Sequence, residues 1–475
     1  MHLGEVIRID VLPDDVLLDI FDFYMKMHTP IFKEGIEAWK SLVLMCRRWR
    51  NLILESPRRL DLRLVCTPKA PRAIIDIWPA LHLIIEGHAA MTPSGKDNII
   101  VALGQSNRIR KIIFWGLAYW EVEDVLAPML VPFPELIDLV LVSEGESVPV
   151  IPDSFLPVGG FAPRLKHFVL DGIPFPGLPK LLSSVNRLCY LELINIPHSG
   201  YFSPEAIVAS LSVLSNLSTL FLHFESPQSH PDRETRSLPP PKRFILPALD
   251  YFYFQGVVSY LEDLVGDIDA PQLDMLDITF LNHDQIDFDC RRLVQFINRS
   301  PELKKRKRKR DKEAHVRFDD RSGDDALDFG TRTVRLLIPS CREPDRRLLS
   351  VAQVCSCSIS STVENLYIEH RYSQRVWNND VIENTLWLQL LLTFTAVKDL
   401  YLHEEFAPCI ASALQELVGD RITEVLPSLQ NIFVEGPETS RSSSFQEKIG
   451  EFVAARQLSD HPITISTWDM GRQCW

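Results

Sequence analysis

The side chains that could hold a metal ion fall in two short stretches of this 475-residue chain. NHDQIDFD (282–289) carries one imidazole and three carboxylates, a donor set that suits a divalent cation. Asp287 has a simpler role there, as the cap of the helix that follows. His403–Glu405 lacks the second histidine that a zinc-protease helix carries four residues after the first. We therefore predict no metal site.

Other stretches with reactive side chains also stop short of a catalytic motif. SGKD (94–97) lacks the upstream glycine and the Ser or Thr after the lysine that a P-loop needs. Cys355 and Cys357 form a close pair, but no second pair follows at zinc-site spacing. The sequence has no nucleophile elbow and no dinucleotide fingerprint. We predict a non-catalytic protein that uses no cofactor.

Composition and charge narrow the class further. Hydrophobic residues make up 46% and charged residues 24%, which is typical of a globular protein. The net charge of −13 argues against nucleic acid as a partner. The nine cysteines, with no signal-peptide pattern ahead of them, indicate a reducing compartment, cytoplasmic and/or nuclear. LWLQLLLTF (386–394) is about half a membrane span, so we expect no contact with a membrane.

A run of seven basic residues interrupts this acidic chain. It could act as a nuclear-import signal, or it could be a solvated loop between a helix and a strand. No aromatic residue is interleaved with its charges, so it lacks the stacking platform of a nucleic-acid binder. The run consists of Lys304, Lys305, Arg306, Lys307, Arg308, Lys309 and Arg310.

The N-terminal segment has the periodicity of two very apolar helices. In VLPDDVLLDIFDFY (11–24), Pro13 suits the first helical position, and Leu17, Ile20 and Phe21 share one face. AWKSLVLMCRRWRNLIL (38–54) predicts one continuous second helix with an apolar stripe. So small a pair of helices must bury its apolar face against the rest of the chain or against another protein. Periodicity alone leaves both alternatives open.

Particular residues in these helices resemble the F-box family. The resemblance consists of a Leu12-Pro13 start, an Ile20-Phe21 pair, and a later Cys46 followed by Trp49-Arg50. Met45 stands where the family often has Val, and the segment 25–38 is longer than the usual connection. The resemblance covers about a tenth of the chain.

The resemblance implies a partner and a set of contact residues. F-box helices dock on a Skp-family adaptor, which is bound to a cullin scaffold that carries a RING subunit. Large aromatic side chains often anchor such interfaces. The residues that would bind the adaptor are Leu12, Pro13, Leu17, Leu18, Ile20, Phe21, Leu42, Val43, Cys46, Trp49 and Ile53.

The rest of the chain repeats one strand motif, with an apolar residue at its first, fourth and sixth positions. Consecutive copies lie about 23–34 residues apart over most of the chain, in the range of leucine-rich repeats. Helical segments such as SPEAIVASLSVLSN (203–216), with Ser203 as cap, lie between the copies. The ten copies begin at Ile109, Leu136, Leu165, Leu188, Leu217, Leu249, Leu273, Val363, Val397 and Leu429.

The repeats predict an α/β fold, an irregular leucine-rich-repeat-like solenoid of parallel strands alternating with helices. This resembles the divergent repeat regions that follow F-boxes in many fungal proteins, although the usual repeat asparagine is absent. An ordinary α/β domain would share much of the pattern. We predict an F-box at 9–60, a connecting segment with the first strands at 61–105, the solenoid at 106–436, and a tail with a helix and a short strand at 437–475. Loops are expected at 226–243 and 300–330. The stretch 300–359 interrupts the repeat and would contain one unit distorted by insertions, with strands in AHVRF (314–318) and TVRLLI (333–338).

The combined resemblance implies the substrate-recognition subunit of a ubiquitin ligase of the Skp–cullin–F-box type. The repeats would hold a protein substrate on the concave sheet or on loops at one edge. The chain would raise the rate of ubiquitin transfer only by bringing a substrate lysine close to the ubiquitin-carrying enzyme. The alternative is a ligase-independent repeat scaffold in which the N-terminal helices cap the array. The scaffold predicts a chain that behaves well alone, whereas the ligase subunit predicts an exposed apolar face.

Overall fold

A computed structural model of the chain divides into two compact units, 1–188 and 189–475. It describes residues 9–27, 38–57, 59–69, 75–76, 78, 81–88, 92–117, 124–143, 150–151, 162–226, 243–281, 290–304, 312–319, 326–331, 333–338, 344–355, 360–371, 383–417, 419–435 and 443–468.

The first unit opens with three helices rather than the two that the sequence predicts. They are α1 (Asp14–Met27), α2 (Ala38–Met45) and α3 (Arg47–Glu55). The predicted second helix breaks at Cys46, whose backbone is extended (φ −157°, ψ 167°) and whose Sγ accepts a hydrogen bond from the Trp49 amide. A side-chain acceptor at this position satisfies an amide at the start of the new helix, so the break is a capped turn.

The start of α1 also differs from the prediction by one position. The Pro13 carbonyl accepts the first helical hydrogen bond, from the Leu17 amide at 3.0 Å. Pro13 therefore lies at the cap rather than in the first turn, and Asp14 and Asp15 occupy that turn. Their carboxylates lie at the positive end of the helix dipole, where negative charge is stabilising.

After the helices, the first unit builds a parallel sheet in chain order. Each strand pairs with the next in parallel register. Among the described residues, helix α4 (Pro93–Leu103) lies between the second and third strands, and helix α5 (Leu178–Leu182) follows the fifth. The strands are β1 (Arg63–Cys66), β2 (His82–His88), β3 (Ile109–Leu117), β4 (Asp138–Ser143) and β5 (His167–Asp171).

The second unit repeats the strand-and-helix pattern over a longer stretch. Its first strands are β6 (Tyr190–Ile196), β7 (Thr219–Phe224), β8 (Phe244–Ile245), β9 (Tyr251–Gly256), β10 (Ile268–Asp269) and β11 (Met275–Phe280). Its later strands are β12 (Glu313–Asp319), β13 (Ala326–Gly330), β14 (Val334–Ile338), β15 (Asn365–Arg371), β16 (Asp399–Leu402), β17 (Asn431–Glu435) and β18 (Thr464–Trp468). The main sheet has the order β6-β7-β9-β11-β14-β13-β12-β15-β16-β17-β18, and β8 pairs with β10 separately.

The middle of this sheet contains a meander that reverses the strand order. Strand β13 is antiparallel to both β12 and β14, whereas β14 is parallel to β11 and β12 is parallel to β15. The strands predicted in AHVRF and TVRLLI are confirmed as β12 and β14. The predicted loop at 300–330 also contains strand β13. Short connections can join antiparallel strands, so β13 pairs with both β12 and β14.

In the described part of the second unit, seven helices accompany the strands, and consecutive helices pack against one another in chain order. In the helical segment at 203–216, Ser203 accepts a hydrogen bond from the Ala206 amide, as its predicted role as cap requires, and Pro204 occupies the first turn. The helices are α6 (Pro204–Leu211), α7 (Val258–Asp267), α8 (Arg291–Arg299), α9 (Pro344–Cys355), α10 (Asn384–Leu392), α11 (Ala407–Gln415) and α12 (Ser443–Leu458).

The ten predicted strand motifs form the core. All thirty of their apolar residues are buried, none more than 6% exposed. Within each unit they are in register across neighbouring strands; Leu191, Leu220, Phe252 and Leu276, for example, are aligned on four consecutive strands of the sheet. The alternate residues lie on the other, more open face of the sheet. The predicted leucine-rich-repeat-like arrangement of parallel strands alternating with helices is thus confirmed.

Several predicted features lie outside the described residues. They are the cluster at 282–289, positions 305–310 of the basic run, and 227–242 of the first predicted loop. Lys304 is the last residue of a short 3-10 helix, Glu302–Lys304. Among the described residues, no helix is long and apolar enough to cross a membrane.

Candidate protein-binding surfaces

Helix α1 carries an exposed apolar stripe along one side. Val16, Ile20, Phe23 and Met27 follow the helical spacing i, i+4, i+7 and i+11, and they are between 39% and 69% exposed. We call these four residues the N-terminal stripe. The adjacent face of the same helix, with Leu17 and Phe21, is buried. The rest of the first unit therefore covers only part of the apolar surface of helix α1.

The N-terminal stripe belongs to a larger concentration of exposed apolar side chains. Among the described residues, seventeen large hydrophobic side chains are exposed, and eight of these lie within 9–45. Single exposed apolar residues are ordinary on a protein surface, but a contiguous concentration marks an interaction site. The four outside the stripe are Ile9, Val11, Leu44 and Met45.

The structure sorts the eleven residues predicted to bind an adaptor into two groups. Buried within the chain are Leu17, Leu18, Phe21, Leu42, Val43 and Ile53. Exposed or half-buried are Leu12, Pro13, Ile20, Cys46 and Trp49. The first group holds the helices together, so its side chains are not accessible to a partner in this structure. Periodicity identified the apolar helix but assigned its face to Leu17 and Phe21, and so missed Phe23 and Met27.

Contacts among the three helices explain part of this division. The Phe21 and Trp49 rings meet edge to face, with centroids 4.8 Å apart, so Trp49 packs on α1 as well as facing solvent. Arg48 donates to Asp14 Oδ1 at 2.6 Å and to the Leu12 carbonyl at 2.7 Å. These bonds hold the start of α1 against α3, and they fix the direction in which the N-terminal stripe points.

Another side of the helical group is attached to the first strand. The Trp39 indole is buried and donates to the Arg63 carbonyl at 3.0 Å. Its ring also meets Trp78 edge to face, with centroids 5.7 Å apart. An indole with its N–H satisfied is a strong buried anchor. The helices are therefore docked on the repeats through α2, while α1 keeps its stripe exposed.

The open face of the second unit's sheet carries a row of stacked rings. His315, Tyr367, Tyr401 and Phe433 lie side by side on β12, β15, β16 and β17, in register. Neighbouring ring centroids are 4.6, 4.3 and 4.6 Å apart, and the planes differ by 10°. We call these four residues the aromatic ladder. Trp468 lies across it, 5.3 Å from Tyr401.

A second group of rings lies on the same face at β6, β7 and β9. Phe221 contacts Tyr190, Tyr251 and Tyr253, with centroids between 5.1 and 5.8 Å apart. Burial and a hydrogen bond to Glu192 raise the pKa of the Tyr190 hydroxyl, and burial likewise raises the pKa of Tyr251. These hydroxyls therefore remain protonated donors at neutral pH. Half-buried tyrosines of this kind are enriched in protein interfaces.

One group of side chains in the described part of the chain could hold a metal ion. It combines His403 and Glu405 of the sequence stretch set aside above with His370 from the preceding strand. The sequence alone does not reveal this group, because its second imidazole, that of His370, lies 33 positions before His403 in the chain. Parallel pairing of β15 with β16 brings the two histidines to the same end of the sheet.

Comparison with known proteins finds similarity to solved structures at low sequence identity. No protein-family model and no curated protein matches the sequence. Among solved structures, the chain is similar to the leucine-rich repeat-containing protein LegL7 from Legionella pneumophila, with 11% sequence identity and a TM-score of 0.26. The alignment covers 82% of this chain and 97% of that one. At such a TM-score the similarity carries no argument, and the repeat architecture rests on the strand order and register described above.

Proposed function

We propose that this chain is the substrate-recognition subunit of a ubiquitin ligase of the Skp–cullin–F-box type. Its three N-terminal helices would bind a Skp-family adaptor, and through it a cullin scaffold. Its repeats would hold a protein substrate. The observation that carries the proposal is the N-terminal stripe, an exposed apolar helix face within the segment that resembles the F-box.

The stripe supports a partner because exposure of such a surface is costly. Burial of each large apolar side chain contributes about 1.5–3 kcal/mol. A surface of this kind, bordered by the polar residues Asp19 and Asp22, is typical of a binding site. A helix laid into a groove is recognised through positions i, i+4 and i+7, which is the spacing of Val16, Ile20 and Phe23.

The alternative, a free-standing repeat scaffold, is favoured by a different observation. The Trp39 contact with β1 is what a capping helix needs to close the end of a repeat array. A cap, however, requires a polar outer face, and α1 presents an apolar one. We therefore rank the scaffold second.

The substrate would bind the open face of the second unit's sheet. The aromatic ladder supplies three half-buried rings there, with Tyr367 buried among them. Half-buried Arg317 and buried Glu369 form an ion pair beside the ladder. Tyrosine rings with hydroxyl donors suit an extended or loop segment of another protein, since they provide contact area at low conformational cost. The chain would then raise the rate of ubiquitin transfer by holding a substrate lysine near the enzyme that carries the ubiquitin.

Co-expression with a Skp-family adaptor, followed by affinity capture of the tagged chain, tests the proposal. The test variant is Ile20→Asp with Phe23→Asp, because both side chains are exposed and their loss should leave the helices folded. Substitution of Trp49 is less informative, since this ring also packs on Phe21. We expect the native chain to capture the adaptor in a 1:1 complex and the variant to lose it.

A matched control is Leu130→Asp with Val131→Asp. These two side chains are 48% and 46% exposed and lie in the same unit, outside the three helices. The control should capture the adaptor as the native chain does. A native chain that is monomeric, folded and free of adaptor would refute the ligase assignment and favour the scaffold. Circular dichroism of each variant confirms that it is folded.

A further inference from the structure

Two histidines and a glutamate meet at the carboxyl end of strands β15 and β16. His370 is the sixth residue of β15, and His403 directly follows β16. Glu405 belongs to the short turn that leads into α11. One donor atom from each of the three lies within 4.8 Å of those of the other two.

Of the three side chains, His370 is protected from solvent, whereas His403 and Glu405 are half-buried. The His370 side chain is 2% exposed, and its Nδ1 lies 2.5 Å from Glu405 Oε2. The Phe406 ring packs edge to face on His370, with centroids 5.8 Å apart.

The turn that carries His403 and Glu405 is fixed by main-chain hydrogen bonds. The His403 amide donates to the Ile368 carbonyl at 2.9 Å, and the Phe406 amide donates to the His403 carbonyl at 3.1 Å. Both side chains therefore start from positions set by the sheet. A site on rigid elements loses little conformational entropy when an ion binds.

A fourth group stands behind His403. Glu435 is the last residue of β17, and continuing the pairing of β16 with β17 by one position places it opposite His403. Its Oε2 is 3.7 Å from His403 Nε2. Histidines that bind metals usually donate the N–H of their second ring nitrogen to a carboxylate, and the Glu435 carboxylate faces that nitrogen of His403 just beyond hydrogen-bond distance. His403 Nδ1 accepts a hydrogen bond from the Glu405 amide at 3.3 Å, a bond that an ion bound at this nitrogen would have to replace.

We propose that His370, His403 and Glu405 form a zinc site, with Glu435 as the carboxylate that orients His403. Two imidazoles and one carboxylate are a zinc donor set, whereas magnesium and calcium prefer oxygen ligands alone. Three protein ligands leave one position of a tetrahedral ion for water or for a carboxylate of a bound protein. The ion would replace the hydrogen bond between His370 and Glu405, and join β15 to the turn after β16.

Metal titration of the purified full-length chain tests the site. The chain is stripped with a chelator and titrated with Zn²⁺ in competition with a chromogenic chelator. We expect one equivalent per chain. His403→Gln and Glu405→Gln should each weaken binding by at least ~100-fold, and Glu435→Gln by about 10-fold, the range for a residue that orients a ligand.

Two controls separate this site from other zinc binding. His315→Gln removes a histidine that also faces a carboxylate, at 3.3 Å, but belongs to no cluster of metal-binding side chains among the described residues. This variant should bind zinc as the native chain does. Co²⁺ bound at the site should lack the thiolate charge-transfer absorption that the chain's cysteines would produce. Substoichiometric zinc, equal zinc in native chain and variants, or a thiolate spectrum would each overturn the proposal. His370→Gln is a weaker test, because this side chain is buried.

Discussion

At the scale of single residues, Glu369 shows how the open face of the sheet holds charge. It lies opposite Arg317 on neighbouring parallel strands, and its Oε2 accepts a hydrogen bond from Arg317 Nε at 2.8 Å. His315 faces its other oxygen at 3.3 Å. Burial alone would raise the pKa of the Glu369 carboxyl, but these two partners outweigh it and lower the pKa to about 2.

This pKa predicts a pH-dependent contribution to stability. A carboxyl with a lowered pKa in the folded state stabilises the chain above its unfolded pKa, near 4.5, and loses that contribution as the pH falls toward 2. Glu369→Gln should lower the free energy of unfolding by about 1–3 kcal/mol at pH 7. The difference between variant and native chain should shrink by pH 3. Thermal unfolding at pH 7, 4 and 3 measures it, and a difference that stays constant would assign the loss to packing instead.

At the scale of elements, helix α6 offers a separable test of its cap. The Ser203 hydroxyl accepts the Ala206 amide at 3.2 Å and satisfies a donor that the helix itself cannot. Ser203→Ala should cost about 1 kcal/mol in urea unfolding. Ser212, at the other end of the helix, donates to the Ala209 carbonyl through a solvent-exposed hydrogen bond, so Ser212→Ala should change stability by less than ~0.5 kcal/mol. Equal losses in the two variants would contradict the capping role.

The elements also separate what the sequence predicts from what it does not. Periodicity identifies the ten strand motifs because each buries the same three positions, and a local pattern suffices for that. It does not place the break at Cys46, since an apolar stripe continues through a capped turn. Nor does it predict β13, whose partners come from pairing with β12 and β14. The cluster of His370 with His403 depends on strand register, which no local pattern encodes.

At the scale of the whole molecule, the second unit is a linear array of repeats. Its helices pack in sequence order and most of its strands pair with adjacent repeats, so each repeat is stabilised chiefly by the two beside it. A repeat array can therefore lose structure in one place and keep it in another. The two groups of rings, at β6–β9 and at β12–β17, lie in different repeats of this array. We therefore expect that local unfolding of the repeats that carry one group leaves the repeats that carry the other group folded.

Leu220→Ala tests this independence. Leu220 is fully buried on β7 and aligned with Leu191 and Phe252, so the substitution should cost about 2–5 kcal/mol. Hydrogen exchange measured by mass spectrometry should then accelerate in β6, β7 and β9. Peptides that contain β16 and β17 should exchange at the native rate, because no shared core connects them to the cavity. Acceleration of equal size in both regions would mean that the unit unfolds as one cooperative block, and that its repeats support each other well beyond their nearest neighbours.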